Sequence, residues 1–237
     1  MEEIFTAFSQ AMQLLLGADP TLGGIIGRTL LVSLSAVALA TVVALPLGGV
    51  LALYPFPGRG AVVILLNAFM GLPPVVVGLV VYLLLSRGGP LGGLGLLFTP
   101  TAMIIAQCVL IIPIVAALAR QVVLELWGEY GEQLRSLGAP RWRALFTLLY
   151  DGRHSLLTAV LAGFGRAIAE VGAVLIVGGN IAHVTRVMTT AIALETSKGD
   201  LALALGLGFV LITLSLTVNG AAALLQSWGR PNPRTTW

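Results

Sequence analysis

Residues 100–119 read PTAMIIAQCVLIIPIVAALA, twenty positions without one charged side chain. A helix needs about that many apolar residues to cross the hydrocarbon core of a bilayer. The stretch that follows is different in kind. Residues 119–153 hold nine of the chain's 23 Asp, Glu, Lys and Arg residues, whereas residues 61–118 hold Arg87 alone. A membrane span therefore leads into a structured polar island. The whole chain agrees with this reading. Of its 237 residues 57% are hydrophobic and 10% charged, against about 25% charged in a soluble domain.

Working outward, five stretches are long and apolar enough to span: residues 29–54, 61–86, 100–119, 155–182 and 201–226. Lipid offers no hydrogen bonds to an open backbone, so each must be a helix. Pro46, Pro73, Pro74 and Pro113 fall inside these stretches and are expected to kink them. Residues 1–17 carry apolar side chains near helical spacing, with Glu2, Glu3, Gln10 and Gln13 between them. Too short and too polar to span, they predict a helix lying in the membrane interface. The expected fold is a single all-α integral membrane domain of five spans plus that N-terminal helix.

Basic residues orient such a chain. With residues 119–153 placed in the cytoplasm, that side holds Arg59, Arg120, Arg135, Arg141, Arg143, Arg153, Arg230 and Arg234. The other side holds Arg28, Arg87, Arg186 and Lys198. Eight against four predicts the N-terminus outside and the C-terminus inside. The single cysteine, Cys108, sits in an apolar run and reads as a small buried hydrophobe. No basic stripe interleaved with aromatics points to nucleic acid.

The island, residues 129–155, reads EYGEQLRSLGAPRWRALFTLLYDGRHS. A short helix should end at Leu137, with Gly138 as its left-handed closing residue and Pro140 in the first turn of the next helix. In that second helix Trp142, Leu145, Phe146 and Leu149 are spaced as one apolar face. Such a hairpin could dock into a groove of a partner protein or lie against the membrane. The residues leave both readings open.

Glu132, Gln133, Leu134 and Gly138 form E-Q-L-x-x-x-G, which resembles the E-A-A-x-x-x-G loop of ABC importer permeases. LRSLGAPRWRALFTLL, GLPPVVVGL in the second stretch and GRAIAEVGAVLIVGGNI in the fourth extend the likeness over most of the chain. Together they are similar to the molybdate, tungstate and sulfate branch of type I importers, and most of all to its tungstate-uptake permeases. Molybdate permeases more often carry Phe where Val171 stands. Gln133 and Leu134 replace the two alanines, and Tyr150-Asp151 replaces a later Leu-Pro.

The resemblance implies a homodimer in a prokaryotic inner membrane, with the pathway at its two-fold axis. A dimeric cytoplasmic ABC ATPase would supply the hydrolysis, with ATP and Mg bound there and no cofactor in this chain. An extracytoplasmic binding protein would deliver the oxyanion to the loops at residues 87–93 and 180–186. Glu132, Gln133, Leu134, Arg135, Leu137, Gly138 and Ala139 would couple to the ATPase, with Arg141 and Trp142 at the edge of the contact. The permease itself would catalyse nothing.

Arg166 and Glu170 are charges inside an apolar stretch, four residues apart and so expected on one helix face. An unpaired charge at mid-membrane costs roughly 2.5–3.5 kcal/mol. A structural ion pair, a passing positive charge for an oxyanion, and a gate or dimer contact beside Gly172 are three readings of the pair. Pro73 and Pro74 belong to the same candidate pathway. Rival functions find less support. An intramembrane protease would need paired aspartates, H-E-x-x-H or a Ser–His couple at membrane depth. A secondary transporter would show internal repeats. Reading QLRSLGAPRWRAL as a DNA-binding helix-turn-helix conflicts with its apolar faces and its place between two spans.

Overall fold

A computed structural model describes residues 20–228 and, for side chains, residues 21–224. The expected interfacial helix at residues 1–17 lies outside the described residues, as do Arg230 and Arg234. Among the described residues nine α-helices follow one another: α1 Pro20–Leu53, α2 Arg59–Phe69, α3 Pro74–Leu85, α4 Pro100–Ser136, α5 Arg141–Asp151, α6 Arg153–Ile168, α7 Gly172–Gly178, α8 Met188–Lys198 and α9 Leu201–Trp228. One 3₁₀ turn, Gly92–Leu94, interrupts the loop between α3 and α4.

Among the described residues three helices are each long and apolar enough to cross a membrane: Thr21–Leu53, Pro100–Ser136 and Leu201–Leu224. The second and fourth expected spans are not single helices. Arg59–Phe69 and Pro74–Leu85 meet at 106°, and Arg153–Ile168 and Gly172–Gly178 meet at 58°. Counting each bent pair as one span gives five.

The prolines divide by position. Pro46 and Pro113 lie within continuous helices, whereas Pro73 caps α3 and Pro74 is its first residue. The pair starts a helix; it does not kink one. A second correction concerns the island. Its first half is no separate short helix, because α4 runs unbroken from Pro100 to Ser136. Thr99 begins it by accepting the Ala102 N–H, and nothing between Arg120 and Gln133 breaks the backbone ladder.

α4 is the central helix. Of its most apolar window 61% is buried, against 22% for α9, and α1, α2, α3, α5, α6 and α7 all pack on it. Ala36, Ala40 and Ala44 of α1 meet Ile111, Val115 and Ala116 of α4 and Phe164 of α6 in the largest apolar cluster. A second cluster joins Val77 and Val81 of α3 to Met103 and Ala106 of α4 and Val174 and Val177 of α7. The many exposed Leu, Val and Ile side chains on α1, α3 and α9 suit a solvent of lipid tails, where apolar exposure has no cost.

Candidate transport gate and coupling hairpin

The two helix breaks meet. A residue before proline is driven to extended backbone, and Pro73, preceding Pro74, has φ −64° and ψ 122°. The start of α3 packs on the break between α6 and α7. A Cβ on Gly172 would lie 2.9 Å from Val75 Cγ2, and one on Gly78 only 2.7 Å from the Ala173 Cα. Glycine at both positions lets α3 and α7 approach to backbone contact. Arg166, Glu170, Gly172, Pro73 and Pro74 are thereby brought to one region, with Val75 linking the proline pair to Gly172.

A helix break frees backbone groups that lipid cannot satisfy. Here side chains from distant elements take them. Gln107 of α4 donates from Nε2 to the Ala167 carbonyl at 3.0 Å. Thr189 of α8 donates from Oγ1 to the Glu170 carbonyl at 2.9 Å. The Glu170 carboxylate turns inward and accepts the Ala173 N–H at 3.0 Å, placing negative charge at the start of α7, where the helix dipole favours it. Its other oxygen is 3.4 Å from Arg166 Nη2. The expectation of a shared helix face needs correcting: α6 ends at Ile168, and the pair closes across the break. The two partners differ in exposure, with side chains 36% accessible for Arg166 and 4% for Glu170. Glu170 is fixed and Arg166 has an open side.

Gln107 and Thr189 were not singled out from sequence. Gln107 could have been, as the one amide in the twenty residues 100–119. Thr189 carries no such mark. Thr29 similarly ties α1 to α8, accepting the Met188 N–H at 2.9 Å while donating to the Ile25 carbonyl.

The hairpin lies at the far end of α4. Gly138 adopts φ 68°. Its N–H bonds the Arg135 carbonyl at 2.9 Å, and the Ala139 N–H bonds the Leu134 carbonyl at 3.0 Å. This pair of bonds is the Schellman closure that a left-handed glycine permits. Glu132, Gln133, Arg135, Gly138 and Arg141 are exposed around the tip, with Leu134 and Ala139 half-buried. Leu137 is 82% exposed at the turn. The Arg135 guanidinium lies over the Trp127 ring, 5.0 Å from its centroid. In α5 the buried face is Ala144, Leu145 and Leu148. Trp142 and Phe146, expected beside Leu145, point away from it and are exposed.

The opposite end carries the loops at residues 87–93 and 180–186. Arg186 bonds the side chain and carbonyl of Asn180, and Arg28 donates to the His183 carbonyl at 2.7 Å. Gly179 ends α7 in left-handed conformation and Asn180 follows with φ 49°. A cavity of about 500 Å³ opens between Tyr82, Ser86, Arg87 and Phe98.

The sequence of this helical bundle has relatives among known proteins. Residues 44–230 match the family model described as "Binding-protein-dependent transport system inner membrane component". The chain belongs to this family. The permease is 41% identical over 226 residues to the "Tungstate uptake system permease protein TupB" of Peptoclostridium acidaminophilum, a match spanning 95% of this chain and 99% of that one. It is 40% identical over 200 residues to a "Probable anion ABC transporter permease protein" of Haloferax volcanii, spanning 82% and 86%. It is 37% identical over 219 residues to the TupB protein of Campylobacter jejuni, spanning 92% of both. The permease is thus a multi-pass inner-membrane transport component, a role consistent with its apolar helices.

Proposed function

We propose that this permease imports tungstate, driven by a separate ATP-hydrolysing subunit. The observation that carries the reading is the 41% identity to a tungstate uptake permease across 95% of the chain. The geometry supports it in two ways. The exposed tip around Glu132, Leu137 and Gly138 is the docking element for the ATPase, which binds ATP and Mg; this chain binds neither. The junction of the two helix breaks is the gate, where Arg166 offers an oxyanion a positive charge and Glu170 keeps that charge from becoming a trap. Two copies pair about a two-fold axis. The hairpin faces the cytoplasm, the N-terminus lies outside, and the loops at residues 87–93 and 180–186 receive an extracytoplasmic binding protein.

Metal uptake in cells lacking the gene, complemented with wild type or the Gly138→Val variant, tests the reading. Tungsten accumulation should return with wild type and not with the variant. Restoration of molybdenum or sulfate uptake instead would reassign the substrate within the same machinery. Dependence on the proton gradient and indifference to ATP would replace the importer by a secondary transporter.

A further inference from the structure

Asn67 stands alone in its stretch. Between Arg59 and Tyr82 it is the only side chain with a hydrogen-bond donor. It is exposed, and among the described residues its amide finds no partner within the chain. Gln107 and Asn219 behave differently. Each lies in an apolar helix and donates from its amide to a backbone carbonyl, of Ala167 and of Ser215. An amide satisfied in that way can face hydrocarbon. An open one gains nothing from lipid tails, so the surface of α2 at Asn67 meets water or protein.

The helix that carries it is held at both ends. Arg59 donates to the Leu51 and Ala52 carbonyls at the end of α1. Near the other end Leu66, the one buried residue of α2, shares a cluster with Ile111 and Val115 of α4 and with Phe164, Ala167 and Ile168 of α6. Asn67 is the next residue, about 100° further round the helix. Ala167 and Ile168 directly follow Arg166. The open amide and the accessible cation thus flank one apolar cluster from two helices. Each is also close to a helix break, Asn67 just before the 106° joint and Arg166 just before the 58° joint. Broken helices at membrane depth form ion and substrate sites because their polar groups face an aqueous cavity.

We propose that Asn67 lines the conduit and donates an N–H of its amide to the passing oxyanion. The inference rests on the reading of the helix-break junction as the gate and deepens it. A tetrahedral oxyanion that is fully ionised offers acceptors only, so a donor is the complementary group. A neutral donor adds one bond without adding charge. That suits a passage, where binding must favour entry and still permit release. An aspartate of the same size would offer the ion only acceptors and a like charge.

The test uses the full permease with its ATPase subunit and binding protein in proteoliposomes, with tungsten uptake counted by mass spectrometry. Asn67→Asp should lower uptake by about tenfold or more, because a like charge repels the ion. Asn67→Leu should lower it by about fivefold, the loss of one net hydrogen bond. Asn67→Ser, which keeps a donor, should stay near wild type. Melting midpoint, co-purification of the ATPase and ATP hydrolysis stimulated by the binding protein should hold in the Leu and Ser variants. Uptake at the wild-type level in the Asp variant, or an equal fall in Leu and Ser, overturns the proposal. If the Asp variant fails to assemble, Leu against Ser decides. Dissociation of paired copies in Asn67→Leu, read by native mass spectrometry, also overturns it and gives the amide to a contact with a second copy. Wild-type uptake of molybdate or sulfate in place of tungstate removes the substrate assignment alone, and the same comparison is then read with that ion. Uptake of no oxyanion removes both.

Discussion

The Nε2 of Gln107 donates to the carbonyl of Ala167, sixty positions further along the chain, at 3.0 Å. This bond ties the central helix to the last turn before the α6–α7 break. Gln107 itself is 3% exposed. Replacing it with Leu leaves the Ala167 carbonyl with only the longer bond from the Glu170 N–H, at 3.3 Å, a loss of about 0.6–2 kcal/mol. Thermal unfolding of Gln107→Leu in detergent should fall by roughly 2–6 °C. An unchanged midpoint would show that the bond does not hold the break.

The asymmetry of the ion pair gives a second expectation. Removing Arg166 strands a buried carboxylate, whereas neutralising Glu170 leaves a cation that reaches its open side. Breaking a fully buried pair costs 3–5 kcal/mol, and partial exposure of Arg166 reduces this to about 1–3 kcal/mol. Arg166→Ala should therefore express and melt worse than Glu170→Gln. Glu170→Gln keeps an oxygen for the Ala173 N–H, so the double variant should recover stability. Uptake decides the role of the charge: recovery of stability without recovery of transport places Arg166 in the conduit, and recovery of both makes the pair structural.

At Gly138 a Cβ would meet nothing within 4 Å, and the constraint is the positive φ alone. A non-glycine residue there costs roughly 1–2 kcal/mol unless it tolerates the left-handed region, as Asn does. Gly138→Val should lower co-purification of the ATPase subunit and uptake together, while Gly138→Asn retains most of both. Equal failure of the two variants would argue against backbone conformation as the cause.

The helix contact between α3 and α7 can be graded by what each added methyl would strike. At Gly78 it meets backbone, and at Gly172 the end of the Val75 side chain. Overpacking of this kind costs about 1–3 kcal/mol. Gly78→Ala should sit at the upper end and Gly172→Ala at the lower, read as the difference in melting midpoint. The reverse order would mean that α3 shifts more readily than Val75.

Among the described residues hydropathy located the three long apolar helices and both bent pairs, because crossing lipid demands a long apolar run whatever its detailed sequence. It could not show direction within a stretch. The bend at Pro73 was locally encoded, since two adjacent prolines force one extended residue and a fresh helix start. The same residues were read as a kink. The break at Ala169–Glu170 had no such local signal. Gln107 and Thr189, remote in sequence, stabilise it, so only the packed chain reveals it. Gly138 was readable because its turn needs nothing beyond five neighbouring residues. The hairpin's first helix was misjudged at its start, since polarity changes near Arg120 while helical propensity does not. The likeness to importer permeases rested on the hairpin, on residues 71–79 and on residues 165–181, and the family match over residues 44–230 spans all three.

The 37 residues of α4 make a rod about 55 Å long at 1.5 Å per residue. Gln107 grips the α6–α7 break near one end of it, and Glu132 stands on the surface near the other. The two neighbouring spans are jointed and this one is not. A push on the hairpin therefore arrives at the break as tilt or translation of a single lever, with no loop in between to absorb it.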